Sequence, residues 1–295
     1  MNISVKRLHD GFSLPVYGFG ANKIGISMAR DRISEDNSDI NIIKKAIESG
    51  ITHFDTAESY VEGFSEIIIG RAIKGYKRED LIIATKVSPL NLRYRKLLDA
   101  VKGSLKRLDT DYIDLYMIHF PNENISIAET MEAMDHLIED NIIRYIGVSN
   151  FSLEQFKEAQ KHTVNKIVVN QVPYSLINRK FGQNGFIDYA KENDVLVSCW
   201  WPLEYGRLAN NGVDILDRMC VKYDKTPSQI AINWLISQKN IVTMSGTRNI
   251  DHLKENLGSL GWHLGIGDIN LLDKDFPIKE NTSIAEDHWM RVLGS

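Results

Sequence analysis

The chain has little of what would tie it together covalently or to a metal. Only Cys199 and Cys220 supply thiols among 295 residues. Two cysteines are too few for a disulfide framework or a cysteine-based metal cluster, so both are read as free thiols in a reducing, cytoplasmic setting, with no metal. Long apolar runs are missing as well: no stretch approaches the roughly 18 residues of a membrane span. The opening MNISVKRLHDGFSLPVYGFG has neither an unbroken apolar segment nor a small-residue cleavage site, so no secretory signal is expected. An excess of positive charge is absent too. With 35 Lys and Arg against 39 Asp and Glu, a net charge of −4 and a pI near 6.1, the chain carries no nucleic-acid footprint. Neither nucleic acid nor a membrane is an expected partner. The dinucleotide fingerprint GxGxxG does not follow the first strand, where the chain reads GFGANKIG with its glycines wrongly spaced.

What is present is an ordinary composition, 43% hydrophobic and 25% charged, in a rhythm of short apolar runs and amphipathic stretches. Strands are expected at LIIATKV (81–87), YIDLYMIH (112–119), IRYIGVS (143–149), KIVVNQ (166–171), VLVSCW (195–200) and IVTMSG (241–246), with weaker ones at LPVYGFG (14–20) and ITHFDT (51–56). Between them NIIKKAIESG (41–50), RKLLDAVKGSLKRL (95–108) and SIAETMEAMDHLIED (126–140) have helical spacing, and Gly50 is placed to end the first. Ser152 with Gln155 three residues on fits a capping box. Apolar strands alternating with helices argue for a parallel sheet covered by helices. Without a linker, a low-complexity run or a repeat, residues 1–295 are read as one domain. Asp55, Lys86, His119, Asn150, Gln171 and Trp200 all fall at the ends of expected strands. That is where a (β/α)8 barrel gathers its active-site residues, and the barrel is preferred over an open doubly wound sheet.

Four of these polar residues carry a further message. Asp55 and Tyr60 lie in HFDTAESYVEGFSEIIIG (53–70), Lys86 closes LIIATK, and His119 closes DLYMIH. Taken singly, Asp55 reads as a cap, Lys86 as an edge charge and His119 as a core histidine; it is their coincidence at successive strand ends that points to a site. In order and setting they resemble the Asp, Tyr, Lys and His tetrad of the aldo-keto reductase family, and the resemblance runs from about residue 15 to residue 258. It implies a (β/α)8 barrel with an N-terminal β-hairpin closing the bottom, and reduction of aldehydes or ketones with NADP(H).

The chemistry of such a tetrad follows from its side chains. No side chain supplies a hydride, so a cofactor must. Tyr60 is the candidate general acid, and a nearby Lys86 ammonium would lower its pKa. Asp55 would hold the lysine charged and oriented, and His119 would polarise the substrate oxygen. The resemblance also assigns a cofactor site. Ser149 and Asn150 in GVSNF and Gln171 in VVNQVPYS match the family's carboxamide-binding places. In VSCWWPLEYGRL, Trp200 stands where a stacking tyrosine is usual, Trp201 replaces a small residue, and Leu203 and Arg207 fall in the loop over the pyrophosphate. Gly246, Thr247, Arg248, Glu255 and Asn256 in MSGTRNIDHLKENLGSL match the phosphate and adenine end. Arg248 suits a 2′-phosphate, hence NADP(H) over NAD(H), while His252 stands where some relatives have arginine.

Asn22, Lys23, Phe120, Trp201 and, from a C-terminal lid, Trp289 with Met290 are the expected substrate pocket, for a small carbonyl compound. Loops at Asn91 to Tyr94 and Phe120 to Asn124 would contribute, and Lys23 and Glu204 would admit polar sugars. Tyr17, Tyr112, Tyr116 and Trp234 to Ile236 are read as packing residues, and Glu66 as favourable charge at a helix start. Two other readings stand beside the reductase: a nicotinamide-binding, channel-associated type of regulatory subunit with slow turnover, and a barrel hydrolase using Asp55 with Glu58. The residues give no reading of oligomeric state.

Overall fold

Eight apolar strands that each lead toward a helix can satisfy their backbones only against one another, and here they close into a ring. The computed structural model describes residues 2–26 and 38–277. A hairpin of β1 (Val5–Arg7) and β2 (Ser13–Pro15) comes first. The alternating body follows: β3 (Tyr17–Gly20), α1 (Ser38–Glu48), β4 (His53–Asp55), α2 (Phe64–Ala72), β5 (Ile82–Val87), α3 (Tyr94–Leu108), β6 (Ile113–Ile118), α4 (Ile127–Glu139), β7 (Ile143–Ser149) and α5 (Leu153–Lys161). It continues through β8 (Ile167–Pro173), α6 (Lys180–Gln183), α7 (Phe186–Glu192), β9 (Leu196–Trp200), α8 (Asp214–Tyr223), α9 (Pro227–Ile236), β10 (Ile241–Ser245), α10 (Ile250–Leu257) and α11 (Ile266–Asp275). The strands from β3 to β10 pair in parallel, in sequence order, and β10 returns to β3 through Thr243 opposite Tyr17. The expected (β/α)8 barrel is therefore the fold, with the small antiparallel hairpin beside it. Among the described residues no helix is long and apolar enough to cross a membrane.

Each barrel strand buries both faces, which is why the strands read as apolar runs and not as alternating ones. Along β6, Leu115 and Met117 join Ala84, Val169 and Val242 in one cluster, while Tyr116 and Ile118 belong to the larger core shared with the helices. Leu8, Phe12 and Leu14 of the hairpin belong to the first cluster, so the hairpin seals the end of the barrel away from the Asp55 side. Phe12 packs its ring 4.6 Å from that of Tyr145. The Lys6 ammonium donates to the carbonyls of Ile236 (2.8 Å), Gln238 and Ile241 (2.5 Å), satisfying acceptors around the end of α9.

The run 14–20 divides between hairpin and barrel. Val16 makes the exchange: its N–H donates to Ser4 of the hairpin side and its carbonyl accepts from Thr243 of β10. Helix α1 begins a few residues earlier than its spacing suggested, and Gly50 follows it with φ +100°, a conformation only glycine adopts without cost. The Ser152–Gln155 capping box is present, and Thr226 with Gln229 forms a second one at α9. Glu66 departs from its reading as helix-start charge. It is fully buried, accepts from the Thr85 hydroxyl and from Arg107 Nε, both at 2.6 Å, and so ties α2 to β5 and α3. Tyr17, Tyr116, Trp234 and Leu235 are core residues as expected, whereas Tyr112 is only half buried, between the guanidinium groups of Arg78 and Arg144.

Candidate active site

Side chains alternate inward and outward along each strand, and the last inward residues of several strands meet at one end of the barrel. Asp55 ends β4, Lys86 stands near the end of β5, and His119 follows β6, its N–H donating to Val87 at 3.1 Å. Tyr60 opens a short 3-10 turn, Tyr60–Gly63, in which Val61 and Glu62 are left-handed (φ 50° and 55°).

The four side chains converge. Lys86 is completely buried and its ammonium has three acceptors: Asp55 Oδ1 at 2.6 Å, the Thr56 carbonyl at 2.8 Å and the Tyr60 hydroxyl at 3.3 Å. An ammonium has three N–H bonds, so each is committed. The Tyr60 and His119 rings stand edge to face, 5.4 Å apart, and the Ser59 hydroxyl lies 3.3 Å from His119 Nδ1.

Burial sets the protonation states. It pulls the Lys86 ammonium down, but Asp55 and Tyr60 outweigh it and hold the lysine above its ordinary value. His119 is held well below the usual histidine range by burial and then by the Lys86 charge, so its imidazole is neutral at pH 7. Tyr60 departs from expectation. Burial pushes its phenol up, and the opposing pull of Lys86 does not overcome that. Tyr60 is thus a protonated phenol held against a cation, not an acidified one.

A cleft of about 290 Å³ opens above these groups, lined by Asp55, Tyr60 and His119 at one end and by Gly246, Thr247, Glu255 and Asn256 at the other. Asn22, Lys23, Ser149, Asn150, Gln171, Trp200 and Leu203 lie along it, with Phe120 and Trp201 at its walls. Lys86 lies beneath, out of contact with the cleft, and neither Arg207 nor Arg248 lines it. Of the loops expected around a substrate, the one from Asn91 to Tyr94 does not reach the cleft and the one from 120 to 124 gives it only Phe120. Trp289 and Met290 lie outside the described residues.

Several expected cofactor residues are already bonded to one another. Gln171 donates to Asp55 Oδ2 at 2.8 Å. Asn150, left-handed at φ 63°, donates to the His119 carbonyl at 3.0 Å and accepts from the Trp200 indole at 3.2 Å. Ser149 donates to the Gln171 carbonyl at 3.0 Å, and Asn256 to Ser245 at 2.9 Å. Arg248 Nε is 2.6 Å from Asp39 Oδ1, a fully buried carboxylate at the start of α1 that also accepts from Gly25 N–H. At Gly246 a Cβ would lie 2.1 Å from the Gly20 carbonyl, so the bare backbone there is required by close approach.

Other features of the site differ from the sequence reading or are not legible in it. Tyr205 lines the cleft with its ring 3.9 Å from that of Trp201 and 4.9 Å from the Lys23 ammonium. Trp201, Glu204 and Tyr205 all have positive φ, 46° to 56°, and only Gly206 in EYGR hinted at so tight a path. The Glu204 carboxylate is buried and accepts from Ser175 at 3.1 Å, which ties down a group expected to meet polar substrates. Glu58 accepts from Ser88 N–H at 2.6 Å and Asn91 at 3.0 Å and does not line the cleft, so the pairing of Asp55 with Glu58 that a hydrolase would use is not assembled there.

The comparisons with known proteins agree with this geometry. The family model described as the aldo/keto reductase family matches residues 17–274. Methylglyoxal reductase YeaE of Escherichia coli (strain K12) is 30% identical over 269 residues, covering 90% of this chain and 92% of that one. The solved structure of a thermostable aldo-keto reductase, Tm1743, in complex with the inhibitor epalrestat superposes with a TM-score of 0.86 at 36% identity, covering 92% of this chain and 99% of that one. An aldo-keto reductase from Klebsiella pneumoniae in complex with NADPH gives 0.83 at 27% identity, over 95% and 97% of the two chains.

Proposed function

The chain belongs to the aldo/keto reductase family, and from that premise we propose that it reduces aldehydes and ketones to alcohols with NADP(H), Tyr60 acting as the proton donor. The observation that carries this is the single ammonium of Lys86, buried beneath the cleft and held between Asp55 (2.6 Å) and the Tyr60 hydroxyl (3.3 Å), both of which line it.

A nicotinamide cofactor fits the residues present. The cleft runs unbroken from Tyr60 to Gly246 and Asn256, amide and hydroxyl groups of Ser149 and Gln171 border it, and Trp200 offers a flat ring beside them. At the far end, bare backbone at Gly246 and Thr247 leads into α10, where an anion is favoured. When bound, the reduced cofactor supplies the hydride. The chain's own part is to hold the carbonyl and deliver the proton. His119, neutral at pH 7, keeps one ring N–H with which to donate to the substrate oxygen. Tyr60 stays protonated until charge develops on that oxygen. The Lys86 N–H that it already accepts then stabilises the phenolate as the proton leaves. Asp55 keeps Lys86 charged throughout.

NADP(H) is favoured over NAD(H) on two grounds, the NADPH complex of the Klebsiella pneumoniae relative and Arg248 beside Thr247. Asp39 holds the Arg248 guanidinium through Nε, and the reading of a 2′-phosphate is assigned to this arginine as a whole. Methylglyoxal, named for the Escherichia coli relative, is a suitable first substrate.

The test is consumption of NADPH, with NADH in parallel, against methylglyoxal and a panel of aldehydes and ketones, comparing wild type with Tyr60→Phe. Turnover that prefers NADPH and falls at least about a hundredfold in the variant, with NADPH affinity kept, is expected. Equal rates in the two proteins would remove Tyr60 from its role. Cofactor binding with no turnover in wild type would make the chain a nicotinamide-binding subunit.

A further inference from the structure

Gln171 does something in this barrel that a cofactor contact does not require. It stands on β8, four strands from β4 in the eight-strand ring, so its bond to Asp55 spans the barrel. The direction of that bond is fixed by chemistry: a carboxylate only accepts, so it must be the Gln171 NH2 that faces Asp55 Oδ2 at 2.8 Å. Both residues are 3% exposed, at the bottom of the cleft that they line. The other oxygen of Asp55 holds Lys86, whose remaining N–H bonds go to Thr56 and Tyr60. Asp55 is therefore gripped from two sides, and its tilt decides where the ammonium points. The Gln171 backbone is itself pinned, its carbonyl accepting from Ser149 Oγ at 3.0 Å and Asn150 N–H at 2.8 Å.

We propose that Gln171 is a positioning residue for the proton donor: its amide N–H holds Asp55 so that the Lys86 ammonium stays aimed at the Tyr60 hydroxyl. Gln171 also lines the cleft, and an amide that gives its NH2 to Asp55 keeps its carbonyl oxygen to accept from a carboxamide. One planar group then links the cofactor side of the cleft to the acid, through Asp55 and Lys86. The charged and titratable groups around Asp55 are Lys86, Tyr60, His119 and, beneath them in the barrel, His53. Asp55 raises the Tyr60 phenol and Lys86 lowers it, so a donor that shares the Asp55 charge favours proton release. The proposal deepens the reductase reading and rests on it only for turnover.

Two variants test it. Gln171→Leu keeps the bulk and removes both hydrogen-bonding ends. Gln171→Glu keeps the shape and, while protonated, still donates to Asp55; once ionised it repels it. In cofactor-free protein labelled with carbon-13 at tyrosine Cζ, the Tyr60 signal is assigned by its loss in Tyr60→Phe and then titrated. The Tyr60 titration is expected to move upward in Gln171→Leu. In Gln171→Glu the Tyr60 chemical shift should match wild type while the new carboxyl is protonated and depart from it as that carboxyl ionises, late because two carboxylates share one site, and the phenol titration itself should then also move upward. With saturating NADPH, Gln171→Leu should lose about ten- to a hundredfold in kcat, and Gln171→Glu should show an ionisation absent from the wild-type pH profile. A Tyr60 titration unchanged in both variants would overturn the proposal. So would a loss confined to the KM for NADPH, which would leave Gln171 a cofactor contact alone. Because the titration uses no cofactor, it decides the matter even in a protein that turns over no carbonyl, where only the reductase reading would fail.

Discussion

A residue's chemistry is legible in sequence when its job demands an unusual side chain at a recognisable place. Lysine and aspartate at the ends of apolar strands meet that condition, and Asp55, Tyr60, Lys86 and His119 do come together. Partners that no periodicity links are illegible. Asp39 and Arg248 meet at 2.6 Å across a separation of 209 residues, and nothing in either segment announces the other. Gln171 was legible as a cleft residue but not as the hydrogen-bond partner of Asp55, because strand ends give order around a ring and not the contacts across it. The Asp39 pair alters what the arginine can do. Arg248→Ala is expected to weaken NADPH by about tenfold, through one charge-assisted contact to a 2′-phosphate, and to leave NADH nearly unchanged. Asp39→Asn keeps the acceptor oxygen but removes the charge that competes with a phosphate, so it should tighten NADPH relative to NADH. Titrating cofactor against the intrinsic tryptophan fluorescence measures both. Equal loss for the two cofactors in Arg248→Ala would mean that Arg248 shapes the loop without reading the phosphate.

Elements are more legible in this sequence than their edges. Every barrel strand was foreseen from its apolar run, because burial on both faces leaves no other pattern for a strand of this kind. The hairpin is implied by resemblance alone, and in the apolar run 14–20 its second strand is indistinguishable from the first barrel strand, since Leu14 and Val16 are apolar for different partners. Leu14 faces the barrel interior cluster and Val16 the helical core. That division makes a testable claim about the hairpin as an element. Phe12 is 3% exposed and lies against Tyr145 at the end opposite the tetrad. Phe12→Ala should cost about 3–5 kcal/mol of unfolding free energy, the usual range for removing a buried phenylalanine, while kcat at a temperature where the variant is folded stays at the wild-type value. Denaturant unfolding with carbonyl turnover on the same samples checks both halves. Lost turnover with unchanged stability would connect the hairpin to the chemistry instead of to the seal.

At the scale of the whole molecule, a barrel closed by a hairpin at one end and by an ion-paired cluster at the other encloses a medium poor in water, and a histidine buried in it couples folding to pH. His53, in β4, is 1% exposed, and neither ring nitrogen has a hydrogen-bond partner among the described residues. Burial lowers its pKa from 6.5 to about 4; Asp55 and Asp114 oppose the shift and Lys86 adds to it. The sign follows from proton counting. Between these two values the unfolded chain binds a proton that the folded barrel refuses, so stability rises with pH across the window and falls as the solution is acidified. The whole effect is present below the folded value and absent above the unfolded one. A shift of this size corresponds to about 3 kcal/mol. His53→Gln, which cannot ionise, should lose less stability than wild type between pH 7 and pH 4 by about that amount, measured as the difference in unfolding free energy at the two pH values. The comparison cancels the carboxylates, which titrate in both proteins. Parallel pH curves for the two would mean that the closed barrel admits enough water to solvate an imidazolium, and the dry interior would have to be given up as the reason for the tetrad's protonation states.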